Sequence, residues 1–310
     1  MIASIFSKSR PFNYILIASA LIFCFVIYQI HLGLGQESAG IEVVKKGLNL
    51  IFLTVSIFLV NFITKRNELS KDNSYTVLFY FLLLLFIPGV FDSNALIAAS
   101  FFLILAFRRL MSMKSMITPK EKIFDASFWI IVASLFHFWC ILFLLLVFVS
   151  IVFHVSRDYR NWLIPFIAFF TVSILLVFFS LLLETDWLSW VGSQIRISTE
   201  FALSEKPIEN IALTVFFIFS VLFFFSLLLT LTKRPLIQHA SFKKVLFSFV
   251  IALLIYVVSP NKSNDLLLFG VLPVAIMGTS FLEMTKDKLT TEILVGCVVI
   301  ASVFLFIFQL

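Results

Sequence analysis

Asp92 is the carboxylate best placed in this sequence to do chemistry. It stands in the run Asp92-Ser93-Asn94, between apolar segments at 75–91 and 95–107. An acid at such a turn would serve as a general base, a metal ligand or a hydroxyl acceptor. The same run before an apolar segment also suits a helix N-cap, and the two roles are compatible. His137, at a second turn, would shuttle a proton or contact a phosphate, or be a satisfied interfacial group among Phe136, Phe138 and Trp139. Glu37 and Glu42, in the polar loop after the first apolar segment, would act as bases on a sugar hydroxyl, hold a metal, or simply be solvated. Asn94, Asn261, Arg196 and Lys262 are candidates for binding a substrate, with the two cations meeting a phosphate. No metal site and no cofactor are expected. Cys24, Cys140 and Cys297 lie in apolar runs, without ligand spacing, and read as buried small hydrophobes. The chain has no His-Glu-x-x-His pair, phosphate-binding glycine loop or Gly-x-Ser-x-Gly elbow.

The elements that must position these residues are membrane helices. The chain is 61% hydrophobic and only 13% charged, which describes an all-α polytopic bundle and a single integral-membrane domain over 1–310. About eleven spans are expected, the first an uncleaved anchor near 12–34 with the N-terminus in the cytoplasm. The net charge of +6 sits in short loops, where it sets topology rather than attracting nucleic acid. On this map only Lys45, Lys46, Arg196, Lys206 and Lys262 of the 23 basic residues face outward, the asymmetry that orients multispan proteins. The polar stretch 184–209 carries Trp187, Trp190, Ile195 and Ile197 at near-helical spacing, so part of it is expected to lie flat in the interface. Asp125 reads as a cap and charge partner on the basic side. Lys243 and Lys244 precede the ninth span, and Pro273 is expected to kink or break the tenth.

Two hairpins, 75–107 and 125–155, are shorter than the rest. Their arms of roughly 13 to 17 residues reach about 20–25 Å, against a hydrocarbon core of about 30 Å. With their basic ends in the cytoplasm, their tips stop short of the other face. This predicts an outward-facing cavity floored by Asp92 and His137.

The strings Phe124-Asp125-Ala126-Ser127-Phe128-Trp129-Ile130, Ser134-Leu135-Phe136-His137-Phe138-Trp139 and Asp158-Tyr159-Arg160-Asn161-Trp162-Leu163-Ile164-Pro165 resemble a family of inner-membrane proteins of flavobacteria and their relatives. That resemblance implies a multi-pass protein of the bacterial inner membrane and carries no activity. More distantly, the plan is similar to C-type glycosyltransferases, which take sugars from polyprenyl-phosphate carriers on the outer face. That likeness implies a lipid-linked sugar as partner, with Glu37 or Glu42 in the first-loop acidic position. The chain lacks the usual acidic pair of that loop and a large outer domain.

Three functions stay open on these grounds. One is an envelope enzyme processing lipid-linked saccharides. The second is a non-catalytic scaffold or accessory subunit with a protein partner in an envelope or secretion complex. The third is a lipid or solute transporter, which the near absence of charges within the spans and of a visible repeat disfavours.

Overall fold

Apolar runs this long have no water to bond their backbone in a bilayer, so each closes its own hydrogen bonds as a helix. The computed structural model describes residues 2–33, 40–184, 189, 192, 194, 195, 206–260, 262–285 and 287–310. Glu37, Arg196, Asn261, Trp187, Trp190 and Ile197 lie outside them. The helices in chain order are α1 (Ile2–Phe6), α2 (Pro11–His31), α3 (Gly40–Arg66), α4 (Tyr75–Leu84), α5 (Asn94–Ser112), α6 (Pro119–Phe136), α7 (Leu144–His154), α8 (Arg160–Leu182), α9 (Pro207–Thr230), α10 (Leu236–Val258), α11 (Leu268–Met284) and α12 (Lys288–Gln309). The eleven expected segments are all helical. Among the described residues, eight helical stretches, containing α2, α3, α5 and α8 to α12, are long and apolar enough to cross a membrane. The chain is therefore an all-α, multi-pass membrane bundle.

The hairpin arms differ in length from expectation. α4 has 10 residues and α7 has 11, each joined to a 3-10 turn at the tip, Pro88–Asp92 and Phe138–Phe143. α5 and α6 run to 19 and 18 residues because both extend into the basic end. α11 passes through Pro273 as one helix. α10 begins seven residues ahead of Lys243, so Lys243 and Lys244 lie inside it. Lys244 is fully buried, and its Nζ donates to the carbonyl of Leu110 near the end of α5, at 2.5 Å. A cation there meets the negative end of the helix dipole. Of the cysteines, Cys140 is buried, Cys24 is half-buried and Cys297 is exposed on α12.

The polar contacts between elements sort into two ends. At the basic end Lys65 meets Asp72, Lys114 meets Glu68, Arg109 meets Asp125 and Lys120 meets Asp158. Glu283 accepts from Asn73 there, and Glu292 from the backbone of Ala3. Asp125 thus lies within α6, where it pairs with Arg109; it does not cap the helix. At the far end Lys46 meets Asp92, Asn49 meets Asn94, Ser93 meets Asp265 and His137 meets Ser259. These contacts join residues that the charge map places on the same side.

The core is densest around the first hairpin. All ten residues of α4 are buried, and Phe79 packs edge-on against Phe223 of α9. Gly278 of α11 supports this packing, since a Cβ there would lie 3.0 Å from the Phe223 ring. α2, α8, α9 and α12 instead expose long apolar faces, as helices bordering lipid do.

Candidate functional site at the far end

The three residues of the first hairpin tip go three ways. Asp92 ends the 3-10 turn and pairs with Lys46 of α3, Nζ to Oδ1 3.3 Å. The same Nζ donates to Oε1 of Gln29, 2.7 Å away, and Gln29 donates to the carbonyl of Phe91. Ser93 donates to Oδ2 of Asp265, in the turn that opens α11, at 3.3 Å. Asn94 begins α5 and accepts from Nδ2 of Asn49 at 2.5 Å. The cap position of α5 belongs to Ser93, with no capping bond from its side chain, so Asp92 is a bridge to α3 instead.

This register measures the depth of the tip. Asn49 stands about 16 residues from Lys65 along α3, or about 24 Å. The helix that leaves the tip runs through Asn94–Ser115, long and apolar enough to cross a membrane, so the second arm of this hairpin is not short as expected.

Above it lies a cavity of about 730 Å³. α3 packs on α5, α5 on α6 and α6 on α8, so this row holds α3 and α8 apart. α3 lines the gap with Lys45, Leu48, Asn49 and Phe52, and α8 with Val172, Leu175, Leu176, Phe179 and Leu183 just past its end. Both sets follow the i, i+3, i+4, i+7 spacing of one helical face. Between them lie Asn94, Ala95 and Ala98 of α5 and Phe128, Val132, Leu135 and Phe136 of α6. The α8 wall runs about 16 Å along the helix. Its walls are apolar, and its polar groups, Lys45, Asn49 and Asn94, gather at one end. Lys45 is exposed and has no ion-pair or hydrogen-bond partner among the described residues.

The cavity found is not the one expected, since neither Asp92 nor His137 lines it. Asp92 faces away from it, towards Lys46. His137 also lies outside it: its Nε2 is 3.0 Å from Oγ of Ser259, and its ring tilts against Phe269 of α11 at 5.5 Å. That contact ties the second hairpin tip to the α10–α11 turn. Glu42 is exposed on α3, one turn before Lys45. Lys262 sits in the α10–α11 turn and does not line the cavity. Of the candidates, the structure brings Asn94 to the groove and leaves Glu42 near its mouth.

Lys45, Asn49, Lys46, Gln29 and Asp265 were missed as site residues. The stripe Lys45, Leu48, Asn49, Phe52 was visible as helical periodicity, but its partner face on α8 was not. Asp265 is drawn in by Ser93 and by Gly89, which leaves room for its carboxylate. Among the described residues, no group of three or more His, Cys, Asp or Glu is placed to hold a metal ion.

No curated protein and no solved structure matches the chain. The chain belongs to the family described as "Family of unknown function (DUF6427)", whose model matches residues 1–310.

Proposed function

We propose that this protein holds a lipid with an anionic head group in the groove between α3 and α8, on the outer face of a bacterial inner membrane, as a step in handling lipid-linked saccharides. The observation that carries this reading is the groove itself: apolar walls along its length, with the Asn49–Asn94 pair at one end beside an exposed Lys45 that has no ion-pair partner among the described residues. A lipid chain replaces the missing helix contacts along the walls, and Lys45 meets the phosphate as a point charge. The positive-inside distribution supports the outward orientation.

A second reading is sugar transfer from such a lipid, as in the C-type glycosyltransferases. Glu42 favours it, because it lies three residues before Lys45 and so on the same helical face. Its exposed carboxylate would act as base on an acceptor hydroxyl. Asp92, held by Lys46, serves this reading less well.

Native mass spectrometry of the purified protein with polyprenyl phosphate, and with neutral polyprenol as control, tests the binding. Ala95 is exposed in the groove, and Ala95→Trp is expected to abolish retention of both lipids. Lys45→Gln is expected to weaken polyprenyl phosphate by about fivefold and leave polyprenol unchanged. Full retention of both lipids by Ala95→Trp would sink the groove as the site. Turnover in a sugar-transfer assay that Glu42→Gln abolishes, with lipid still bound, would establish the second reading.

A further inference from the structure

A second cavity, of about 370 Å³, lies at the opposite, basic end where α3 and α5 finish and α6 begins. That volume is in the range of small-ligand pockets. Five cations line it, Arg66, Arg108, Arg109, Lys114 and Lys122, against one carboxylate, Glu68. Two of the five are already answered. Lys114 is 2.6 Å from Glu68, and Arg109 is 2.9 Å from Asp125. Among the described residues, Arg66, Arg108 and Lys122 have no carboxylate within ion-pair distance.

These three are gathered rather than spread apart. The guanidinium groups of Arg66 and Arg108 both lie over the ring of Phe62, 5.4 and 4.9 Å from its centroid. Lys122 is largely buried, and its Nζ is held by the carbonyl of Ser112 and the hydroxyl of Ser115, at 2.8 and 2.6 Å. Bringing like charges into one concavity costs energy unless an anion sits among them. The backbone around the cavity is also strained: Glu68, Met116 and Thr118 take φ of +57°, +55° and +44°, where no glycine relieves them. Such strain is retained where the surroundings over-determine it.

We infer that this cavity binds a phosphate group, with Arg66 and Arg108 as a bidentate pair and Lys122 as a fixed point charge. The phosphate comes from one of two sources, an inner-leaflet phospholipid head group or a soluble phosphate ester. The site is separate from the far-end groove and does not depend on what the groove holds.

Two arms separate the sources. In the first, the protein is exchanged from nanodiscs of phosphatidylcholine, with or without phosphatidylglycerol, into detergent, and bound lipid is counted by native mass spectrometry. In the second, delipidated protein is melted with and without glycerol 3-phosphate or inorganic pyrophosphate. Selective retention of phosphatidylglycerol assigns the site to a lipid head group, and a raised melting temperature in the second arm assigns it to a soluble ester. In either case the double variant Arg66→Gln, Arg108→Gln is expected to bind roughly thirtyfold more weakly, at about fivefold per removed surface cation. The matched double variant Arg157→Gln, Lys233→Gln, whose cations do not line the cavity, is expected to bind as the wild type does. Ser115→Asp, at an exposed turn residue, places a carboxylate beside Lys122 and is expected to block binding without disturbing the helices. Wild-type protein that neither prefers phosphatidylglycerol nor responds to either phosphate would overturn the proposal. So would a folded Arg66, Arg108 double variant that binds unchanged.

Discussion

A Cβ added to Gly89 would lie 2.6 Å from Oδ1 of Asp265. The first hairpin tip leaves at Gly89 the room that the Asp265 carboxylate occupies, so a side chain there must displace that carboxylate from its bond with Ser93. Gly89→Ala is expected to lower stability by about 1–3 kcal/mol, the cost typical of overpacking a close contact. Gly270→Ala, inside α11, is the control: its nearest neighbours would be 3.8 and 3.9 Å away, in ordinary contact. That change is expected to be neutral or to stabilise by up to about 1 kcal/mol, because alanine loses less freedom in a helix. Thermal melting in one detergent compares them, and equal melting points would refute the close approach.

Lys46 and Lys45 are neighbours in sequence with opposite duties. Lys46→Met removes the donor to Gln29, whose side chain is buried. An unsatisfied buried acceptor costs about 1–3 kcal/mol, so this variant is expected to melt lower. Lys45→Met removes an exposed cation that has no partner among the described residues, and is expected to melt as the wild type does while weakening phosphate-dependent lipid retention.

Asp92→Asn separates an architectural role from a catalytic one. Its carboxylate is 49% exposed in the pair with Lys46, and exposed ion pairs contribute about 0–1 kcal/mol. The variant is expected to fold with a small loss of stability and to keep full function. Loss of function in well-folded Asp92→Asn protein would return Asp92 to the candidate catalytic set.

Asn49 and Asn94 set the register between α3 and α5. A double-mutant cycle with Asn49→Leu and Asn94→Ala is expected to show a coupling of about 0.5–1.5 kcal/mol, the net worth of one hydrogen bond. Additive single effects would remove that link.

At the basic end, the hydrogen bond and charge of Lys114 hold the Glu68 carboxyl below the ordinary glutamate range, slightly opposed by burial. A carboxyl lowered on folding contributes stability above its unfolded value and loses it as pH falls through the lowered one. Lys114→Gln is therefore expected to move the Glu68 titration upward, read from carbon-13 carboxyl shifts. An unmoved titration would show that the pair does not persist in solution.

Helix identity was legible in the sequence because it depends on a local quantity: apolar length decides whether a segment can satisfy its backbone in lipid. The shortness expected of the hairpins holds for α4 and α7 alone, because α5 and α6 continue as helix through polar and basic residues beyond the apolar runs. The identity of the groove was not legible, because it depends on which helix faces which. Lys45, Leu48 and Phe52 look like any lipid-facing stripe until α5 and α6 are placed between α3 and α8. Asp92 and His137 were expected at the cavity floor because they sit at the tips. The tip backbone turns them instead towards Lys46 and Ser259, and a turn of a few residues reverses where a side chain points without changing its depth. Helices thus followed from sequence by apolar length, whereas the direction and partners of the tip residues were decided only when the tips packed against α3 and against the turn between α10 and α11.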